Sequence, residues 1–208
     1  MLQTKRKGGF FVKRILIIVG FLMLLAPIGV LAESTYTVQP NDSLWKIALR
    51  YEIGVTEIIE ANPQLENPNL IYPKDNIKIP NIDAIKHTEH IVIQLVNQER
   101  IRYGLTELRP DWELSRVTRV KSADMLENNY FSHTSPVYGS PFDMIRNFGL
   151  QYRGAAENIA RGQQTPHSVF RAWMNSRGHR SNILGDFSHI GVGYVEDGKY
   201  WTQMFIKR

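Results

Sequence analysis

The 208-residue chain contains no cysteine. No disulfide can staple it and no thiolate can act as nucleophile or ligand, so its stability must come from buried apolar surface. Acidic residues are missing from residues 1–32. That stretch instead sets Lys5, Arg6, Lys7, Lys13 and Arg14 ahead of the apolar run ILIIVGFLMLLAPIGVLA, Ile15–Ala32. A basic start, an apolar centre, Pro27, and small Val30 and Ala32 read as an export signal cleaved after Ala32. Eighteen apolar residues also reach the lower limit for a bilayer span, so an uncleaved N-terminal anchor is the alternative. Excess charge is lacking too once this segment is set apart. Five of the 25 basic residues lie in it and none of the 20 acids, which leaves residues 33–208 with twenty of each. The formal charge of +5 therefore gives no case for a nucleic-acid partner. Two enzyme signatures are absent as well: there is no HExxH helix and no G-x-S-x-G elbow.

What is present divides into two units. In residues 36–80, YTVQ alternates as a short strand does, and NDSLWKIALRYEIG follows. Asp42 or Ser43 is placed to cap a helix, Gly54 to end it, and Leu44, Ile47, Ala48 and Tyr51 share one apolar face. VTEIIEAN predicts a second helix with Thr56 as N-cap, and NIKIP closes a strand–helix–helix–strand unit. The stretches YTVQPNDSLWKIALRY, NPQLENPNLIYP and IKIP resemble the LysM module from Tyr36 to Pro80. The resemblance implies binding of peptidoglycan or another N-acetylglucosamine-containing glycan. It places the groove between Pro40, Asn41, Asp42 and Ser43 in one loop and Asn69, Leu70, Ile71 and Tyr72 in another. Asn41 and Lys74 stand where the module often has glycine, and Lys74 is the costlier exchange if that turn needs positive φ. Residues 33–80 carry seven acids and four bases, so attraction to wall polyanions is not how this unit would bind. NPQLENPNLIYPKDNIKIP further resembles LysM modules of spore-coat assembly proteins.

Residues 81–87, NIDAIKH, read as a short apolar linker that holds the units close. Beyond it, Ile91, Val92, Leu95, Val96, Ile101 and Tyr103 predict a helix with a broad apolar face ending at Gly104. A longer helix is predicted from Asp111 to about Asn129, with Leu114, Val117, Ala123 and Met125 or Leu126 inward. Ser140-Pro141 and Thr165-Pro166 open two more helices. The final stretch, HIGVGYVEDGKYWTQMFIK, predicts two strands around Asp197-Gly198, a pair that favours a type I′ hairpin. The fold class is therefore α+β, with helices on both faces of a small antiparallel sheet.

Five stretches in order, NYFSHTSP, AAENIARG, WMNSRGHRSNIL, IGVGY and YWTQMF, make residues 88–208 resemble bacterial members of the CAP superfamily. This is the cysteine-rich secretory protein, antigen 5 and pathogenesis-related 1 group, or SCP-like domain. The resemblance implies an α–β–α sandwich in an extracytoplasmic setting and says less about chemistry. Better-known members line a cleft with two His and two Glu that can hold a divalent metal. His133 matches the first histidine and Glu157 the first glutamate. The second glutamate falls near Ser176 and the second histidine near Tyr200, so both are absent, and His179 is the local replacement.

His133, Glu157 and His179 make a His₂–carboxylate set that can bind zinc with one position open, or act as acid and base without metal. The alternative is structural: His133 caps the long helix, Glu157 accepts backbone N–H groups and His179 pins a loop. Ser181, Asn182 and Gln203 are candidates for the cleft rim. Arg177 and Arg180 form a positive patch that suits a carboxylate or phosphate and opposes a metal cation. His87 and His90 lack a third ligand, and His167 and His189 are isolated. The expectation is an exported protein that LysM tethers to cell-wall or spore-envelope glycan. The second unit would serve binding or assembly, with envelope proteins as further partners. A wall-localised peptide or glycan hydrolase using His133, Glu157 and His179 is the alternative.

Overall fold

The computed structural model describes residues 34–208, so the expected export segment lies outside the described residues. In the first unit β1 (Ser34–Thr37) pairs antiparallel with β2 (Asn76–Ile79), and α1 (Leu44–Tyr51) and α2 (Val55–Ala61) cover the pair. Ser43 is the cap of α1: its Oγ accepts the Lys46 N–H at 3.3 Å. The helix stops at Tyr51, before Gly54, with Glu52 in the left-handed region. Gly54 instead precedes α2 and Thr56 lies inside it, because only three residues, Glu52, Ile53 and Gly54, separate the helices. Leu44, Ile47, Ala48, Ile53, Ile58, Ile77 and Ile79 form the core. Buried Asn62 takes the place of a missing strand beside β2. Its Nδ2 donates to the carbonyls of Ile58 and Lys78, and its Oδ1 accepts the Lys78 N–H. Asn41 and Lys74 both adopt positive φ, +69° and +82°, so both turns have the backbone that glycine would supply without strain.

Residues 83–87 are no linker. They open α3 (Asp83–Arg102), a single helix of 20 residues. Ile82 and Ile85 complete the first core, and Val92, Ile93 and Val96 enter the second. The buried face of α3 is rotated from the expected one. Glu89 and Arg100 are buried on it, whereas Ile101 and Tyr103 are exposed.

The second unit continues with β3 (Arg109–Pro110), α4 (Trp112–Glu127), α5 (Pro141–Asn147), β4 (Gly154–Arg161), α6 (Pro166–Asn175), α7 (Arg177–Ile183), β5 (His189–Val195) and β6 (Tyr200–Lys207). The strand order is β3-β5-β6-β4, and only the short β3 runs parallel to its neighbour. Ser140 and Thr165 cap α5 and α6 in capping boxes completed by Asp143 and Ser168. The turn into β6 is not a two-residue type I′ turn. Positive φ falls on Gly198 and Lys199, in a 3-10 turn over Asp197–Lys199.

The layers follow from the alternation IGVGY. Ile190, Val192 and Tyr194 face α3 and α6 and pack with Val169, Trp173, Trp201 and Phe205. Gly191 and Gly193 face α4 and let its backbone lie directly on the sheet. A Cβ on Gly193 would come within 2.2 Å of the Arg119 nitrogen. So seated, α4 is buried on nearly all sides, polar residues included, and Ser122 Oγ donates to Thr202 Oγ1 at 2.9 Å.

Candidate functional site

The seat of α4 fixes the cleft. Lys121 is fully buried, and its Nζ donates to Tyr130 OH at 2.8 Å and to the Ser132 carbonyl at 2.9 Å. One turn on, Asp124 accepts from Tyr130 OH and from Ser135 Oγ. Ser135 Oγ in turn accepts the N–H groups of Val137 and Tyr138. Two α4 side chains thus clamp the loop on either side of His133. The clamp aims that imidazole at β4, where His133 Nδ1 lies 2.7 Å from Glu157 Oε1. The Glu157 side chain is 1% exposed and that of His133 is 54% exposed. A buried carboxylate therefore orients a half-exposed imidazole through Nδ1 and leaves Nε2 without a hydrogen-bond partner among the described residues.

Electrostatics separates the two histidines. The hydrogen bond to Glu157 raises His133 above the ordinary imidazole range, against the effect of burial. Burial raises Glu157, opposed by His133 and by the nearby Lys121 ammonium. His179 is lowered, first by burial and then by the His133 charge. The two imidazoles are therefore shifted in opposite directions, His133 up by its bond to Glu157 and His179 down by burial and the His133 charge. Stability contributed by His133 is fully present in acid and is lost as pH rises through its raised value. Replacing Glu157 by Gln is expected to move the His133 titration down and that of His179 up, followed by the imidazole C–H resonances in NMR. Unchanged titrations would show that the carboxylate does not hold the ring.

The structural alternative does not describe this arrangement. Among the described residues no group of three or more His, Asp or Glu side chains is arranged to hold a metal ion. His133 and Glu157 make a contacting pair with His179 as a neighbour, not three converging ligands. Nor does His133 cap the long helix, whose C-terminal end is Asn128, and Glu157 accepts from an imidazole rather than from backbone. Gly178 and His179 lie inside α7 and not in a loop.

The rim also differs from expectation. Gln203 is fully buried and accepts from Asn158 Nδ2 at 3.0 Å. Asn182 Nδ2 reaches Asn158 Oδ1 at 2.8 Å and the Glu157 carbonyl at 3.2 Å. Ser181 is exposed and donates to the Gly178 carbonyl within α7. Asn158, unmarked by the sequence reading, is thus the residue that fastens α7: its Nδ2 also donates to the His179 carbonyl at 3.2 Å. Successive strand residues face opposite sides, so Glu157 meets the α4 side of β4 and Asn158 the α7 side. Position next to Glu157 in AENIA was the available signal. Lys121 and Asp124 were missed too, although polar groups three apart on an otherwise buried helix face point to a shared partner. His87, His90 and His167 are exposed, and His189 Nδ1 lies 2.8 Å from Ser188 Oγ.

In the first unit Asp42 is a loop tie. Its Oδ2 accepts from Tyr36 OH at 2.6 Å and from the Gln39 N–H at 2.9 Å, which together hold its carboxyl below the usual range. Reciprocal bonds of Val38 with Lys74 and Asp75 bring the two expected glycan loops to one end of the unit. There Pro40, Asn41 and Asn69 are exposed, and Leu70 and Tyr72 are 56% and 63% exposed, while Ile71 packs on the core. Trp45, 55% exposed, is the exposed tryptophan that follows the first loop.

Comparison with known proteins agrees with this division. The model of the cysteine-rich secretory protein family matches residues 93–205, and that of the LysM domain matches residues 36–80. The uncharacterized protein YkwD of Bacillus subtilis is 53% identical over 134 residues, 64% of this chain and 52% of that protein. The spore coat assembly protein ExsA of Bacillus cereus is 44% identical over 46 residues, 22% of this chain and 7% of that one. The alignments thus span about half or less of these relatives. An extracellular protein containing an SCP domain from Bacillus anthracis superposes with a TM-score of 0.58 at 32% identity, covering 65% of this chain and 47% of that one. No helix among the described residues is long and apolar enough to cross a membrane.

Proposed function

The chain belongs to the cysteine-rich secretory protein family and carries a LysM domain ahead of the family domain. On that footing we propose that it is an exported envelope protein. The LysM domain tethers it to N-acetylglucosamine-containing glycan of the cell wall or spore envelope, and the second domain serves binding or assembly there. The observation that carries this reading is the pair of exposed apolar side chains, Leu70 and Tyr72, beside a polar loop tied by Asp42. A sugar chain needs hydrogen bonds along its edges and apolar contact on ring faces and acetyl groups, and this end of the module offers both. A relative named for spore coat assembly and an extracellular SCP protein support an envelope setting.

The test is sedimentation of residues 33–208 with insoluble peptidoglycan and with chitin. Tyr72→Ala is expected to weaken binding about tenfold, the equivalent of ~1.4 kcal/mol. Equal sedimentation of variant and parent would remove the groove from the proposal. One observation favours the hydrolase reading, the buried carboxylate that fixes His133 with Nε2 free. Under it residues 33–208 cleave wall material and His133→Ala loses that turnover while remaining folded. Under the binding reading His133→Ala sediments like the parent and there is no turnover to lose.

A further inference from the structure

Arg100, in the last turn of α3, is 3% exposed and makes no ion pair among the described residues. Its Nε donates to the Thr106 carbonyl at 2.9 Å, and its Nη1 to the carbonyls of Ile183 and Gly185 at 2.7 and 2.8 Å. Those bonds tie the end of α7 to the end of α3. They occupy N–H groups but bring no negative charge, and Nη2 makes no hydrogen bond among the described residues. A buried cation is costly unless an anion faces it, as Glu89 faces Arg119. Burial lowers the Arg100 pKa and the Asp186 charge opposes it, yet a guanidinium keeps its proton.

Arg100 lines a cavity of about 720 Å³, a volume that suits a small ligand. Arg109, Lys207 and Arg208 line it as well, against two acids, Glu107 and Asp186. Asp186 is taken by Lys207, and Arg208 by Asp111. Arg109 is exposed and makes no ion pair among the described residues. His189, on the same wall, is lowered first by burial and then by the Arg208 charge, with Arg109 acting in the same sense against Asp111. The cavity is thus positive, and its most deeply buried cation is Arg100. Three backbone carbonyls hold that guanidinium in place, so binding at Nη2 would cost little further ordering.

We propose that this cavity binds a phosphate group, free or as a monoester, on Arg100 Nη2 at its floor and Arg109 at its mouth. Charge selects that group. Four basic side chains against two acids leave two positive charges in the lining, and a phosphate monoester carries about −1.5 to −2 near neutral pH. Shape selects it too. The donors come from α3, β3 and β6, three separate elements, and a tetrahedral phosphate presents oxygens in several directions where a carboxylate accepts in one plane. The site does not depend on the glycan tether proposed above.

The experiment follows thermal unfolding of residues 33–208 with inorganic phosphate, glycerol 3-phosphate or acetate, against chloride at matched ionic strength. At about ten times its dissociation constant, phosphate is expected to raise the melting temperature by about 3–6 °C. Arg109→Gln should melt like the parent without ligand and bind at least about tenfold more weakly. Arg171→Gln, equally exposed but on α6, should bind like the parent. Arg100→Met is expected to lose binding and also three bonds to carbonyls, so Arg109→Gln decides the case. Tighter binding of glycerol 3-phosphate assigns a monoester, and tighter binding of inorganic phosphate assigns the free ion. The proposal is overturned if neither phosphate gives a saturable shift, if acetate matches phosphate, or if Arg109→Gln binds like its parent. Chitin sedimentation should be unchanged in Arg109→Gln, and Tyr72→Ala should keep its phosphate shift, which tells loss of this cavity apart from loss of the LysM groove.

Discussion

Gly193→Ala is expected to destabilise the protein by at least about 3 kcal/mol, the upper end of the range for overpacking a filled core. The added methyl would sit 2.2 Å from the Arg119 nitrogen and equally close to the Thr118 carbonyl carbon, both in the backbone of α4. A flexible side chain could swing aside, but a buried helix can yield only by lifting from the sheet. With a urea slope of roughly 2 kcal/mol per molar for a protein this size, the midpoint should fall by about 1.5 M. The damage should also reach the cleft, because α4 carries the Lys121 and Asp124 clamp around His133. His133 titration in any folded remainder should drift towards that of a free imidazole. A midpoint within about 0.3 M of the parent's would mean that α4 does not rest on β5 as closely as the structure has it.

The second large effect is expected at Arg119, where the two domains meet. Its Nη1 lies 2.8 Å from Glu89 Oε2 and its Nε 3.4 Å from Glu57 Oε1, so one guanidinium joins α2, α3 and α4. Glu89 Oε1 also accepts the Tyr194 N–H. Arg119→Met leaves Glu89 buried without its cation and is expected to cost about 3–5 kcal/mol at pH 8. Burial raises Glu89 to about 7, against the pull of Arg119 and the Tyr194 N–H. Its folded value thus exceeds its unfolded one, and its contribution is fully present below about 4.5 and lost as pH rises through about 7. The loss amounts to about 3 kcal/mol at most. Glu52, Lys86, His90 and Asp111 are the other ionisable side chains that line the adjoining cavity. The difference between Glu89→Gln and its parent, by urea denaturation at pH 5 and pH 8, isolates the effect. The parent should gain relative to the variant at pH 5. The pair Arg119→Met with Glu89→Leu should recover most of the lost stability, and no recovery would place the damage outside this ion pair.

Local chemistry was legible where a residue and its partner lie within one turn. Ser140, Thr165 and Asp111 cap the helices they precede in sequence, each accepting an N–H three residues on. What depends on distant partners was not. Asn62 looks like a helix-end polar residue until β2 arrives beside it, and Lys121 looks solvated until Tyr130 and Ser132 close over it. IGVGY was recognisable as a motif, but only packing shows that its glycines admit a helix. Gly178 disfavours a helix, yet α7 continues through it because tertiary bonds from Asn158 and Asn182 outweigh a propensity deficit of up to about 1 kcal/mol. At the cleft, the motifs named His133 and Glu157, and 24 residues of separation gave no sign that they touch. His179 lies inside α7, on a helix and not in the loop that the structural alternative gave it.

One feature of the fold bears on mechanics. Because α3 begins in the LysM core and ends in the other, the molecule has no slack between its anchor and its cleft. Twenty helical residues span about 30 Å, and a helix barely stretches where a coil would uncoil first. Movement of the glycan lattice would therefore reach the second domain as rotation of a stiff lever. Load would fall first on the Arg119 junction and not on a spring-like connector. In the proposed tethered state this helix would hold the second domain at a fixed distance from the LysM domain.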